Sequence, residues 1–425
     1  MTSPAPAFSL RKVIIPVYLP TFLFTTGEGA IIPVIPTIAH DLHANLALAG
    51  LVAGMFAFGI LVGDLPSGWV VSRVGERVAM IWAAIATLLG IALCTFAVHW
   101  AMLGFGMFII GLATSVFALA RHAFLTTFVP LSWRARSLSM LGGMFRAGMV
   151  IGPLLSAGLI AATHDPRSSF WLFALFILFT AAVLIFIPDP ERTFGEAAKF
   201  KGSDGRMLTS GEEEAEEETH GLFRTIWNFR GVLIRLGTGS AIVGALRATR
   251  TVIIPLWAIT LGLQSSETAL IVGVASMIDF ALFYTSGQIM DRWGRLWSAI
   301  PAMVIMSTAL IVLAFSRSFA DPVTWLWLCA IIFSLGNGVG SGILLTFGSD
   351  LAPPENPAPF LGAFRFTSDF GGGVAPMVIS GITAAASLAI ASGVIGVVGF
   401  FGAFLFIRYV PRYIKHYKGV RRAKV

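Results

Sequence analysis

Gly68-Trp-Val-Val-Ser72-Arg73-Val74-Gly75-Glu76-Arg77 and Gly287-Gln-Ile-Met-Asp291-Arg292-Trp293-Gly294-Arg295 are two versions of one short polar turn, 219 residues apart (68 to 287). Gly68, Ser72, Arg73, Gly75 and Arg77 align with Gly287, Asp291, Arg292, Gly294 and Leu296. Ile31-Ile32-Pro33 matches Ile253-Ile254-Pro255 at an offset of 222 (31 to 253), which differs only by a short loop change. Both turns follow a long apolar run, so the chain reads as a duplicated unit built from apolar helices.

The apolar runs set the solvent. Of 425 residues 56% are hydrophobic and 12% charged, and the mean hydropathy is +0.83, which does not suit a water-facing surface. A helix crosses a hydrocarbon core of ~30 Å with ~20 residues at ~1.5 Å each. Windows of that length, bounded by charges or Pro/Gly breaks, give twelve spans at 13–39, 46–71, 78–98, 101–129, 138–162, 169–188, 231–262, 267–290, 296–316, 322–349, 358–386 and 388–410. The expected fold class is an all-α membrane protein of twelve transmembrane helices in two pseudosymmetric six-helix bundles. Residues 1–188 form the N-terminal bundle, 189–229 an acidic linker, and 230–425 the C-terminal bundle with its basic tail. No cleavable leader is expected, because Arg11 and Lys12 run straight into a full-length span.

Twelve spans put both termini on one side. Sorting loop Lys and Arg by this topology puts twenty-one on that side, including Arg11, Lys12, Arg73, Arg77, Arg134, Arg136, Arg292, Arg295 and the tail from Arg408, against Arg167 and Arg317 opposite. The positive-inside rule then places the termini and the linker in the cytoplasm of a cell inner (plasma) membrane. Topology accounts for the net charge of +7, so nucleic acid is not an expected partner. Glu212, Glu213, Glu214, Glu216, Glu217 and Glu218 repel one another, and the linker reads as solvated and flexible. Cys94 and Cys329 lie in apolar spans of different halves, which offers neither a disulfide nor a metal site.

The second turn resembles the G-x-x-x-D-R-x-G-R loop signature of the major facilitator superfamily, and the first is similar to it apart from Ser72 in place of the Asp. The resemblance implies a latch in which Gly68, Arg73, Gly75, Arg77 and Asp64 in one half, and Gly287, Asp291, Arg292, Gly294, Arg295 and Asp350 in the other, lock helix ends together in one state. Asp350 is the expected acceptor of Arg292 or Arg295; with no acid at the end of span 4, the first latch should be weaker. Gly148, Gly152 and Pro153 on span 5, with Gly29, Pro33 and Pro36 on span 1, resemble elements of the superfamily's drug and proton antiporters and read first as helix packing. The resemblance also implies that spans 1, 4, 7 and 10 line a cavity while 2, 5, 8 and 11 join the halves.

Ionisable groups inside spans cost at least ~2.5 kcal/mol each and are functional candidates by default. These are Glu28, Arg146, Arg247, Arg250, Asp279 and Asp369, taken as proton-coupling or substrate residues. Pseudosymmetry sets Glu28 opposite Arg250 and Arg146 opposite Asp369, suggesting pairs across the midline; Arg146 or Arg365 are the alternative partners of Asp279 and Asp369. Glu28 is a proton or substrate-charge site, or else one half of a static pair with Arg146 or Arg250. Asp64 joins the inner latch, with Arg365 as a partner. Arg121, towards the end of span 4, reads as reaching the headgroups.

No phosphate-binding loop, HExxH, GxSxG or metal-ligand cluster is present, so neither ATP hydrolysis nor another enzyme activity is expected, and no cofactor. The leading reading is secondary active transport by alternating access, as proton-coupled export of small amphipathic compounds by a monomer in contact with lipid. A transporter of an organic or lipid-like anion clamped by Arg247 and Arg250 is the second reading, and a non-transporting receptor or scaffold the third.

Overall fold

The computed structural model describes residues 14–186, 200–201, 207–219, 222–353 and 357–414. Arg11, Lys12, the tail from 415 and the remainder of the 189–229 loop lie outside the described residues. Spans 1 to 6 are Ile15–Asp41, Leu46–Val74, Glu76–Thr95, Trp100–Phe128, Arg136–Thr163 and Ser168–Phe186. Spans 7 to 10 and 12 are Arg230–Thr260, Ser265–Trp293, Leu296–Ser318, Pro322–Leu351 and Leu388–Tyr413. These eleven are long and apolar enough to cross a membrane. Span 11, Ala358–Ala385, is long enough too, but Arg365, Asp369 and its glycines dilute its apolar character.

The same neighbour pattern occurs twice. Span 1 packs on 5 and 6, and span 4 on 2 and 3; in the second half span 7 packs on 11 and 12, and span 10 on 8 and 9. The halves meet along spans 2 with 11 and 5 with 8. Away from the basic turns this contact is tight: a Cβ on Gly54 would collide with Pro376, one on Gly50 would sit 3.0 Å from Ser380 Oγ, and one on Gly273 2.7 Å from Leu154 Cδ2.

Two spans are broken. In span 1, Pro33 and Pro36 each lack an N–H, and the helix passes from Leu19–Ile31 through a tighter turn at Ile32–Val34 into Ile35–Asp41. Span 10 stops at Val339 and restarts at Ile343, with Gly342 at φ 77°, a conformation that favours glycine. Irregular backbone at this depth needs internal partners. The carbonyl of Val339 accepts from Ser298 Oγ at 2.6 Å, that of Gly340 from Arg247 Nη2 at 3.0 Å, and that of Ser341 from Ser286 Oγ at 2.5 Å. Gly340 and Gly342 lie at the break, while Gly336 and Gly338 pack closely, a Cβ on the first falling 2.9 Å from the Ala302 carbonyl and one on the second 2.7 Å from Leu282 Cβ.

The linker also departs from its reading as a solvated coil. Ser210–Thr219 is a helix packed on spans 2, 4 and 11, so it touches both halves. Thr209 and Glu212 form a reciprocal cap: Glu212 Oε2 accepts from the Thr209 N–H at 2.9 Å and Thr209 Oγ1 from the Glu212 N–H at 3.3 Å. The acidic first turn suits the positive end of the helix dipole. Gly211 and Ala215 are buried on its inward face, and a Cβ on Gly211 would collide with the Ala123 carbonyl. Burial, then repulsion by Glu213 and Glu214, raise the Glu217 carboxyl above its ordinary value. A raised carboxyl pKa favours the docked helix at acid pH, and docking loosens as pH rises through the raised value. Gly211→Leu is expected to undock the helix, measured as faster cleavage at Glu212 to Glu217 by a glutamate-specific protease on folded protein; an unchanged rate would contradict the docking.

Candidate functional site

The buried charges gather in three groups along the midline. The first surrounds Glu28, fully buried at 1% exposure, whose Oε1 accepts from Thr114 Oγ1 of span 4 at 2.5 Å. Arg121, two turns further along span 4, is the cation whose field reaches Glu28. It does not extend to the headgroups: it is 8% exposed, lies over the Phe145 ring at 5.8 Å, and its Nε has no hydrogen-bond partner among the described residues. No ion pair links Glu28 to Arg146 or Arg250 among the described residues.

The second group joins the halves. Arg146 Nη1 of span 5 meets Asp279 Oδ1 of span 8 at 3.2 Å, and Arg146 also lies over the Phe283 ring at 4.7 Å. The second oxygen of Asp279 accepts from Asn337 Nδ2 of span 10 at 2.7 Å. Arg250 Nη1 donates to Ser334 Oγ at 2.9 Å, and Arg247 to the freed Gly340 carbonyl. Thus the matched pairs Glu28–Arg250 and Arg146–Asp369 do not form; Arg146 takes the alternative partner, Asp279. Repeat offsets fix which residues occupy equivalent places, but one residue of register turns a side chain ~100° around a helix.

The third group lies towards the basic turns. Asp64 Oδ1 accepts from Ser115 Oγ at 2.6 Å and stands 4.0 Å from Arg365 Nη2, while Arg365 Nε stands 3.9 Å from Asp369 Oδ2. Arg365 thus sits between an acid of each half. Thr114, Ser115, Arg121 and Asn337 escaped the sequence reading as site residues. The signal for Asn337 was one amide among the glycines of an apolar span; the others follow from Glu28 and Asp64 facing span 4.

The two turns differ. In the second, Arg295 Nε contacts Asp350 Oδ2 at 3.0 Å and Arg295 Nη1 contacts Asp291 Oδ1 at 3.4 Å, while Arg292 lies over the Trp293 ring at 5.6 Å. Gly294 has φ 101°, which the turn requires, but Gly287 faces open space and lets no helix approach here. In the first, Gly75 has φ 82° and Arg77 donates to the Leu184 and Ile185 carbonyls at the end of span 6. Arg73 lies over Trp69, and Ser72 Oγ bonds its own helix at the Trp69 carbonyl. Polarity is reversed relative to the second turn: Glu76 Oε1 accepts from Thr127 Oγ1 near the end of span 4 at 2.6 Å and from Thr209 Oγ1 of the linker at 3.1 Å. The packing residues face span 1, since Cβ atoms on Gly148 and Gly152 would collide with Thr25 and Thr26, and one on Gly29 would sit 3.1 Å from Pro153 Cδ.

Residues 17–376 match the family profile of the Major Facilitator Superfamily. The chain belongs to this superfamily. Like its relatives it is a multi-pass membrane transporter and not an enzyme. Among them, the class B tetracycline resistance protein of Escherichia coli is 23% identical over 328 residues, covering 75% of each chain. The galactose-proton symporter of Escherichia coli K12 is 24% identical over 314 residues, 68% of this chain and 66% of that one. The fold is similar to a POT family transporter solved with 5-aminolevulinic acid, with TM-score 0.78, 10% identity, and coverage of 96% of this chain and 98% of that one.

For this superfamily member the two kinds of ion pair should differ in weight. Arg146→Ala removes the ion pair that crosses the halves and leaves Asp279 with Asn337, and is expected to cost up to ~3–5 kcal/mol. Asp350→Asn opens a part-exposed pair and should cost about 1 kcal/mol or less. Thermal melting in detergent checks the ranking, and Arg146→Ala/Asp279→Ala should regain most of the loss.

Proposed function

We propose that the chain is a proton-coupled secondary transporter that moves small amphipathic compounds out of the cell by alternating access. It works as a monomer in the cell inner membrane, with both termini in the cytoplasm. The observation that carries this reading is Glu28, a buried carboxyl of span 1 held by the Thr114 hydroxyl and, among the described residues, by no salt bridge. A carboxyl so placed exchanges a proton without first breaking an ion pair, and burial makes its charge expensive. Arg121 lies two turns along span 4 from Thr114, so relative movement of spans 1 and 4 changes how close this cation stands to Glu28.

The basic turns and the tight opposite ends give the two states a physical basis. Opening the opposite face must separate Gly54 from Pro376 and Gly273 from Leu154, while the ends bearing the basic turns close. In this reading Asp64, Arg365 and Asp369 form the inner gate, and Arg295 with Asp350 holds spans 9 and 10 in register on the basic side. Among the relatives, a tetracycline resistance protein supports export and a galactose-proton symporter supports proton coupling.

In proteoliposomes with a pH gradient, uphill movement of a lipophilic fluorescent substrate is expected for the wild type and a loss of at least about tenfold for Glu28→Gln at unchanged melting temperature. Gradient-driven accumulation by Glu28→Gln equal to the wild type would refute the role of Glu28.

A further inference from the structure

Three guanidinium groups and one carboxylate share the space between spans 5, 7, 8 and 10. Asp279 neutralises Arg146, and its other oxygen is taken by Asn337. Arg247 and Arg250 have neutral acceptors, the Gly340 carbonyl and the Ser334 hydroxyl. Their charges act on one another and on Arg146, which places all three in one field. Three cations against one anion leave two positive charges in excess. Among the described residues two more positions are unfinished: the buried Arg247 Nε has no acceptor, and the buried Asn337 Oδ1 has no donor.

Uncompensated charge at this depth is costly, so a cluster built this way is completed by a counter-ion. Arg247 and Arg250 are three residues apart on one helix and lie on neighbouring faces. Each guanidinium keeps donors beyond the one bond it makes, in a fork that matches an oxyanion. Both arginines are only half-buried although they bond inward to span 10, so the space in front of them is accessible. The Phe283 ring beside Arg146 supplies an apolar wall next to the charge.

We infer that this cluster binds the oxyanion, a carboxylate or phosphate, of a small organic amphiphile, with Arg247 and Arg250 as the clamp and Asn337 contacting a donor group on the same molecule. The inference rests on the transport reading above for the identity of the ligand as substrate, and it narrows that substrate to anions. Glu28 lies outside the clamp, on span 1 against span 4, which leaves the proton and the anion on separate groups.

Equilibrium binding in detergent, without any gradient, tests the clamp separately from proton coupling. The probes are 1-naphthoate, 1-naphthyl phosphate, lysophosphatidate and, as the charge-reversed control, 1-naphthylmethylammonium. The naphthyl anions should bind at least about tenfold more tightly than the ammonium, inorganic phosphate should compete, and Arg250→Gln and Arg247→Gln should each weaken binding about tenfold or more, with partial recovery in Arg250→Lys. Arg317→Gln, in the last turn of span 9 and away from the cluster, should bind as the wild type. Glu28→Gln should retain anion binding while losing gradient-driven flux, so failure of proton coupling and failure of the clamp give different results. Equal affinity for the ammonium, or unchanged affinity in Arg250→Gln at wild-type melting temperature, would overturn the inference. If both arginine variants fail to fold, lack of competition by phosphate on the wild type would overturn it. Binding of lysophosphatidate without either naphthyl anion would also overturn it, in favour of a lipid headgroup.

Discussion

The ion pair between Arg146 and Asp279 is the constraint around which the molecule is organised. It crosses from span 5 of one half to span 8 of the other, within the membrane, where an unpaired charge is costly. Asn337 adds span 10 to the same carboxylate. The halves are thus tied at one depth by a directional contact, while the glycines of spans 2 and 8 bring their backbones together by shape. A contact of this kind holds position at its own depth and leaves the ends of the helices to separate on one face or the other.

Broken helices supply the polar lining. Where span 10 unwinds at Gly340–Gly342 it releases carbonyls that lipid could not satisfy, and Arg247, Ser286 and Ser298 converge on them. Span 1 breaks at Pro33, a little beyond Glu28. Nearer the basic turns, the linker helix rests on spans 2, 4 and 11 and meets Glu76 through Thr209, which gives the first turn a partner of a different kind from the Asp350 of the second.

Span positions were legible because lipid leaves a long unbroken signal: 46–71 became Leu46–Val74, and 322–349 became Pro322–Leu351. Both turns were legible because glycine at positive φ and a following basic residue are local requirements, met at Gly75 and Gly294. Side-chain partners were less so. Arg121 seemed free to leave the membrane, yet helix rotation points it inward at Phe145. Glu28 found a threonine rather than an arginine because span 4, and not span 5 or 7, faces it. The linker helix was hidden by its six glutamates, although Thr209 and Glu212 spell the cap that starts it. Like-charge repulsion outweighs a cap in an isolated peptide, but burial of Gly211 and Ala215 against the bundle reverses the balance.

The central claim is that two rigid halves rock about the buried charges so that only one face is open at a time. Paired spin labels at the two ends of spans 2 and 11, with distances measured by pulsed electron resonance as pH and ligand are varied, test it most directly. The account predicts two populations with opposite shifts: as the ends near Gly50 and Ser380 move apart, those near Arg73 and Ala358 draw together. A single distribution at each end, unmoved by pH or ligand, would contradict it.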